Sequence, residues 1–388
     1  MFAPCYIELS KSALQQNLAF LKDWIGEDTR FCSVIKGNAY GHNVEEFVPM
    51  AEDCGINYFA AFSADEAKEA YHAIQNAETD LMIMGMIGND ELEWAVERDI
   101  SFFIFELDRL QKAIKAARKT GKSARIHLLL ETGMNRLGLA STRLEQAVKI
   151  IKENEKHLFI EGICTHFAGA ESLSNYERIM KQIKNFKQYL KELNEQDIDA
   201  KYNHTASSAA TLNYPETIMN MVRIGIAQYG YWPNRETYMQ VLKNHSELDM
   251  EANDPLKRVM TWKSTVMSVK KVPKGKYVGY GTIYQTARDE TIATVPIGYA
   301  HGFGRNLSNT GLVLINGRRA PVAGLVNMNL LTVDITDIPD VHKGDEVVII
   351  GRQDDEVMSV NSFSGMINTL NYEVLVRIPD DIPRRVVE

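Results

Sequence analysis

The residues with the clearest chemical potential lie in the stretch Phe31 to His42, Phe-Cys-Ser-Val-Ile-Lys-Gly-Asn-Ala-Tyr-Gly-His. Phe31 to Ile35 is a nearly continuous apolar run, as in a strand buried on both faces of a parallel sheet, and Lys36 ends it. An ammonium at the carboxyl end of such a strand is costly unless it is paired or consumed in a reaction. Gly37 and Gly41 behind it let backbone approach a ligand. Lys36 is therefore a candidate for a depressed pKa and for Schiff-base chemistry. The competing reading is that it merely tops the strand and points to solvent. Other candidates follow later apolar runs: Arg136, His166, Ser207 with Ser208, and Arg223 to Ile226.

The elements that must position these residues form a regular beat. Strands are expected at Phe31–Ile35, Tyr58–Phe62, Leu81–Met84, Phe102–Phe105, Ile126–Leu130, Phe159–Thr165, Lys201–Thr205 and Val222–Ile226, with Cys5–Leu9 before them. Amphipathic helices are expected at Ala64–Ala73, Glu91–Arg98, Leu107–Thr120, Thr142–Asn154 and Ser174–Asn194. This α/β repeat fits a TIM-type (β/α)8 barrel better than a doubly wound sheet, and no G-x-G-x-x-G follows the first strand. The segment Trp232–Pro255 is polar and reads as an irregular linker. Beyond it, short alternating runs at Thr261–Val272, Thr291–Ile297, Leu312–Ile315, Leu330–Ile335 and Glu346–Ile350 predict a C-terminal, mostly antiparallel β domain with one helix at Ser362–Thr369. The expected division places the barrel at 10–235 and the β domain after it, at 236–388.

In a barrel of this kind the residues after each strand share the rim that carries the active site, and the loops after the seventh and eighth strands form its usual phosphate cradle. Ser207-Ser208 and Gly225 occupy those loops. A dianion held there beside an activated lysine suggests pyridoxal 5'-phosphate.

The 388 residues exceed one ordinary core, and 45% hydrophobic with 24% charged residues is a soluble composition. A net charge of -8 argues against a nucleic-acid binder. Cys5, Cys32, Cys54 and Cys164 are far apart, with neither a C-x-x-C pair nor His at zinc spacing. Free thiols, no metal, no membrane span, no leader pattern and a cytoplasmic location are expected.

Several motifs then resemble one family in order along nearly the whole chain. Ser33-Val-Ile-Lys-Gly-Asn-Ala-Tyr-Gly-His42 is similar to the cofactor-lysine motif of alanine racemases, and Glu131-Thr-Gly-Met-Asn-Arg-Leu-Gly138 to their arginine loop. Gly162-Ile-Cys-Thr-His-Phe-Ala168, Ser207-Ser-Ala-Ala-Thr-Leu212, Met221-Val-Arg-Ile-Gly-Ile226, Val278-Gly-Tyr-Gly281, Val295-Pro-Ile-Gly-Tyr-Ala300 and Asn371-Tyr-Glu-Val374 follow. The resemblance implies a cofactor-binding barrel at 10–235 whose β domain takes its first strand from the N-terminus, so that 1–9 join 236–388, and a head-to-tail homodimer with shared active sites. It implies that Lys36 binds pyridoxal 5'-phosphate and serves as base on the D face of a small amino-acid substrate, with Tyr280 from the other subunit on the L face. Two bases on opposite sides of a planar carbon suffice for racemisation.

The same resemblance implies that Arg223 faces the pyridine nitrogen, supported by His166, with His204 near the tyrosine. Tyr40, Ser208, Gly225, Ile226 and Tyr372 are implied as phosphate ligands, with Ser207 beside them. Arg136 and the Met328 backbone would receive the substrate carboxylate, and Tyr299 would gate the entrance. Taken singly, Arg136 could be a surface ion-pair partner, His166 and His204 core histidines, and Tyr299, Tyr372 and Met328 packing residues.

Departures from the pattern bear on substrate. Leu129 stands where many members carry a carbamylated lysine that orients the loop arginine, so Asn135 or an anion is expected to do so here. Asn327-Met-Asn-Leu330 replaces Cys-Met-Asp-Gln, and Gly298-Tyr-Ala-His-Gly-Phe303 places His301 and Phe303 in the expected entrance. The expected activity is interconversion of L- and D-alanine. The alternatives are a racemase for serine or another larger or polar amino acid, a barrel-type decarboxylase or aldolase, and a catalytically silent cofactor-binding protein.

Overall fold

Apolar runs bounded by polar turns build most of this chain. In the computed structural model, which describes residues 4–244, 254–367 and 370–388, the first strand is β1 (Cys5–Ser10). Eight further strands share one sheet: β2 (Arg30–Val34), β3 (Tyr58–Ala61), β4 (Asp80–Ile83), β5 (Ser101–Ile104), β6 (Ala124–Leu129), β7 (Leu158–Cys164), β8 (Tyr202–His204) and β9 (Met221–Ile224). Neighbours pair in parallel in the order β8-β7-β6-β5-β4-β3-β2-β9. The Arg223 N–H donates to the Ala206 carbonyl at 2.9 Å, and Ser207 bridges Arg223 in the parallel sense, so the ends meet and the expected barrel closes. Every residue of β3, β5 and β9 is buried, which explains their largely apolar texture, with Ser101 and Arg223 as the polar exceptions in β5 and β9.

Helices cover this sheet by the periodicity expected of them. In Leu107–Thr120 the residues Leu110, Ala113, Ile114 and Ala117 form the buried stripe, and Gly121 at φ 73° ends the helix by donating to Ala117. Truncating Leu110 to alanine would cost about 2–5 kcal/mol. Helix Ala64–Ala73 begins where Ser63 accepts from the Glu66 N–H while the Glu66 carboxylate accepts from the Phe62 N–H.

The second set of strands comprises β10 (Met260–Thr265), β11 (Ser268–Val272), β12 (Glu290–Val295), β13 (Leu312–Ile315), β14 (Arg318–Pro321), β15 (Leu331–Asp334), β16 (Glu346–Gln353), β17 (Glu356–Met358) and β18 (Arg384–Val387). One sheet runs β14-β13-β16-β10-β1-β18 with β17 on β16, and a smaller one runs β11-β12-β15. Apart from the parallel pairing of β1 with β18, the ladders are antiparallel. β1 and β10 alternate buried and half-buried residues, and Trp262 of β10 donates through Nε1 to Cys5 Sγ at 3.1 Å. The chain separates into two compact units, residues 13–36 with 48–257 and residues 1–12, 37–47 with 258–388.

Three expectations are corrected. The segment Trp232–Pro255 contains a helix, Arg235–Asn244, whose sparse buried face of Thr237 and Val241 hides its period; residues 245–253 of that segment lie outside the described residues. Thr261–Val272 is two strands in different sheets, because the chain leaves the first sheet at Val266 and Met267. The C-terminal helix spans Val360–Ile367 and a second, Asn371–Val376, follows; Asn368 and Thr369 lie outside the described residues.

Candidate active site

Lys36 follows β2 directly, and the backbone before it is fastened from within the barrel unit. The Val34 carbonyl accepts from Gln228 Nε2 at 3.1 Å and from the Tyr229 hydroxyl at 3.0 Å, and Ser33 Oγ donates to Gln228 Oε1 at 2.8 Å. Gln228 and Tyr229 were not singled out from the sequence; their only signal is a Gln-Tyr pair in the loop just after β9. Lys36 remains exposed at the rim, yet protein crowds its amine enough for desolvation to lower the pKa, helped by Arg136 and Arg223 and opposed by Glu66. His166 is pushed down to about 3 by burial, then by Arg223, Arg136 and Lys36. These mutual effects place Lys36, Arg136, His166 and Arg223 in one electrostatic neighbourhood.

Arg223 is buried and has no carboxylate partner among the described residues; its guanidinium is satisfied by dipoles. Nη1 donates to the His204 carbonyl at 3.0 Å and bonds the His204 ring at Nδ1, and Nη2 donates to the carbonyls of Thr165 at 2.8 Å and Thr205 at 3.3 Å. Support of this arginine, expected from His166, thus comes from His204 and the carbonyls that flank it. None of these bonds uses Nε.

Ser208, at the barrel seam, accepts through Oγ from the N–H groups of Gly225 at 3.0 Å and Ala227 at 3.4 Å, while the Ile226 N–H has no protein acceptor among the described residues. Ser207 caps the short helix Ser208–Asn213 by position, without a side-chain cap bond. Pyridoxal 5'-phosphate requires an amine for its aldehyde, a donor for its ring nitrogen and several donors for its phosphate. Lys36, Arg223 Nε and the Ser208–Ile226 hydroxyl and amide groups make a matching donor set.

The loop carrying Arg136 is tied down while Arg136 itself is not. The Glu131 carboxylate accepts from the N–H groups of Gly133 at 2.6 Å and Asn135 at 2.8 Å. Gln182, buried, donates to Thr132 Oγ1 and the His166 carbonyl and accepts from the Ala168 N–H; Asn185 and Arg178 donate to carbonyls of Thr132 and Gly133. These three residues escaped the sequence reading, although their spacing of four and three along helix Tyr176–Asn194 put polar groups on one stripe. Arg136 is exposed and makes no hydrogen bond or ion pair among the described residues, so the expected hold from Asn135 is absent. Leu129 is buried and supplies no charge.

Tyr40 and Tyr372 approach each other, with ring centroids 6.0 Å apart. Between Lys36 and Tyr40 the backbone makes a left-handed turn, Gly37, Asn38, Ala39 and Tyr40 having φ of 63°, 51°, 52° and 54°. Three non-glycine residues there cost about 1–2 kcal/mol each. Asn38 donates to Asp380 at 2.6 Å and Arg384 to the Gly41 carbonyl at 3.0 Å, which hold the turn. Tyr280 is 73% exposed, Tyr299 40% and Met328 56%. Tyr299 and Ala300 N–H groups donate to the Asn327 and Met328 carbonyls at 3.0 and 2.9 Å, joining the expected gate to the expected carboxylate site. Phe303, expected at the entrance, is instead fully buried against Phe363, because the turn at Gly302 directs it into the core. His301 accepts through Nδ1 from the Gly298 N–H at 3.1 Å and so closes its own turn.

Among the described residues no cluster of potential metal ligands occurs, and no helix is long and apolar enough to cross a membrane. Residues 9–233 match the family model for the N-terminal domain of alanine racemase and residues 259–386 that for its C-terminal domain. The chain is 33% identical to the alanine racemase of Halothermothrix orenii over 98% of this chain and 96% of that protein, and 34% identical to that of Methanococcus maripaludis over 98% of each. Among solved structures it resembles alanine racemase from Bacillus anthracis with bound L-Ala-P (31% identity, TM-score 0.88, 100% and 96% of the two chains). It also resembles that from Bartonella henselae with covalently bound pyridoxal phosphate (25% identity, TM-score 0.83, 100% of both chains). With both domain models matched in order, this chain belongs to the alanine racemase family.

Proposed function

We propose that this protein is a pyridoxal-phosphate-dependent alanine racemase, interconverting L- and D-alanine with Lys36 and Tyr280 as its two bases. The observation that carries the reading is Lys36, its pKa lowered by desolvation and by Arg136, at a rim that also holds the buried Arg223 and the Ser208 cradle. Bound there, the cofactor supplies the electron sink that makes the substrate α-hydrogen acidic. Lys36, poorer at holding a proton than an ordinary lysine, takes or returns it on one face. Tyr280 serves the other face, Arg136 receives the substrate carboxylate with the Met328 backbone, and Tyr299 stands at the entrance. Arg223 remains a donor toward the ring nitrogen, since a guanidinium does not give up its proton. Tyr40, His166, Ser207, Ser208, Gly225, Ile226 and Tyr372 complete the cofactor's surroundings.

The working form is a homodimer in which the β unit of each chain lends Tyr280 to its partner. Supporting this, Tyr280 sits between Gly279 and Gly281 at φ 75° and 72°, and a Cβ at either glycine would meet nothing within 4 Å. A catalytic phenol this exposed needs a second surface to exclude water from it. We place the enzyme in the cytoplasm, where thiols stay reduced, in keeping with four free cysteines of which Cys5, Cys32 and Cys164 are buried. Nothing in the site favours serine racemisation or decarboxylation over alanine.

The test is to incubate purified protein with pyridoxal phosphate and L-alanine and resolve the product by chiral chromatography. D-Alanine approaching equal amounts is expected; a permanently pure L-enantiomer overturns the reading.

A further inference from the structure

Below Arg223 the barrel interior is polar where layers of branched apolar side chains are the rule. The His204 ring reaches from Arg223 to His127, with Nε2 to Nδ1 at 2.8 Å. His127 Nε2 lies 3.2 Å from the Tyr58 hydroxyl and 3.6 Å from Glu161, and Tyr58 continues to Ser101 at 3.3 Å. Glu161 accepts from Arg125 Nε at 3.0 Å, and Arg125 pairs with Asp80 at 2.6 Å, itself 3.6 Å from Arg30. His127, Glu161 and His204 are wholly inaccessible.

Two local features make room for this column. Ile126 opposes Ile160 and His127 opposes Gly162, so Glu161 is the extra residue of a β-bulge in β7, the device that re-aims a side chain. A Cβ at Gly162 would lie 1.9 Å from His127 Nδ1, so only glycine leaves room for the imidazole. A buried ionic group of this kind is commonly no more stabilising than apolar packing of the same volume. Stability alone therefore does not account for it.

We propose that His127 and Glu161 are positioning residues for Arg223: His204 and His127 form a hydrogen-bonded column whose donors point away from Arg223, and the Glu161 carboxylate, 3.6 Å from His127 Nε2, draws the proton to the far end of it. The direction follows from chemistry. A guanidinium only donates, so His204 Nδ1 accepts and its proton sits on Nε2. That proton goes to His127 Nδ1, which leaves the His127 proton on Nε2, facing Tyr58 and Glu161. Burial lowers the pKa of both histidines and keeps them neutral, with Arg223, Arg125 and Glu161 as the charges around them. Burial opposes ionisation of Glu161, but the neighbouring His127 and the bonds from Arg125 hold the carboxyl below its ordinary value. Were His204 to carry its proton on Nδ1, two donors would meet and Arg223 would turn from its place. On the racemase reading, on which this role rests, Arg223 would then no longer meet the ring nitrogen as placed, and side transamination of the cofactor would rise.

The test uses the full-length holoenzyme with 15N-labelled histidine and reads tautomers by long-range 1H–15N NMR. His127 and His204 are expected as neutral Nε2–H forms at neutral and alkaline pH. In His127→Phe, His204 should show a mixture of tautomers, and the cofactor should take the amino group of alanine, which leaves as its 2-keto acid, roughly tenfold more often per turnover, the equivalent of one lost hydrogen bond. His127→Gln, able to accept and donate, should restore the wild-type ratio. An Nδ1–H or protonated form of either histidine in wild type overturns the proposal, as does a His127→Phe enzyme with unaltered His204 signals and cofactor loss. The wild-type tautomers are read without turnover, so failure of the column and failure of the racemase reading register separately.

Discussion

The barrel rim and the Tyr280 loop present opposite surroundings for the two proposed bases. At the rim, Arg223 is buried with its Nη groups fully bonded, and the strand before Lys36 is fastened by Gln228 and Tyr229. In the β unit, Tyr280 is 73% exposed between two glycines in the left-handed region. Preorganisation is worth most where the surroundings exclude water and fix the donors. The rim has this within one chain; the tyrosine has it only if another surface closes over it. On the two-base reading, the difference teaches that this chain would complete one half of its chemistry and present the other half outward.

The strongest way to break that comparison is to separate the halves. Lys36→Ala should abolish racemisation, and Tyr280→Phe should lower it by roughly 10²–10⁴-fold, the usual worth of a positioned proton donor. If the halves come from different chains, mixing the two inactive variants should restore roughly a quarter of wild-type activity, carried by one intact site in the mixed dimers. Equally inactive mixtures, with subunit exchange verified by mass spectrometry, would mean that each chain supplies both bases.

Arg136 is the rim's exception, since its loop is anchored by Glu131, Gln182 and Asn185 while its guanidinium has no protein partner among the described residues. Arg136→Leu should therefore leave Tm unchanged and reduce kcat/KM for alanine about 10²-fold, mainly through KM, as for loss of a charged hydrogen bond. A large drop in Tm would show that the arginine holds the loop instead.

Two glycines sharpen the contrast further. Gly162→Ala must push a methyl into His127, and should cost about 1–3 kcal/mol or more in urea unfolding. Gly281→Ala meets no atom and suffers only its φ of 72°, about 1 kcal/mol, yet should impair activity by misdirecting Tyr280. Equal stability losses would remove the distinction between a packed and an open site.

What the sequence could reveal follows the same divide. Most barrel strands were legible because burial on both faces leaves nearly continuous apolar runs, whereas β8, Tyr-Asn-His and largely half-buried, was legible only from its place in the beat. The change of sheet between β10 and β11 was hidden, since period-two alternation does not register which sheet a strand joins. The helix Arg235–Asn244 was hidden by its two-residue buried face. The column of His127 and Glu161 lay inside correctly placed strands, but only the bulge and the room left by Gly162 show that both side chains turn inward. His204 displaced His166 as the support of Arg223 because the bond depends on ring direction, which spacing along the chain does not encode.

The smallest expected effect concerns Lys36 without its cofactor. Unfolded, this lysine keeps its proton up to about pH 10.4; folded, crowding and Arg136 make it release the proton earlier. Below the folded value both states carry the charge, and the fold bears the full cost of crowding it. Between the two values the unfolded chain binds more protons, so stability rises with pH. Lys36→Met should therefore raise the Tm of the cofactor-free protein near pH 7, and the gap should close as pH climbs toward the ordinary lysine value. Because Lys36 is exposed at the rim, solvent screens part of the effect and the gain is small. A gap that stays constant across this range by scanning calorimetry would mean that the amine is not destabilised by its charge, and the barrel half would then owe its reactivity to geometry alone.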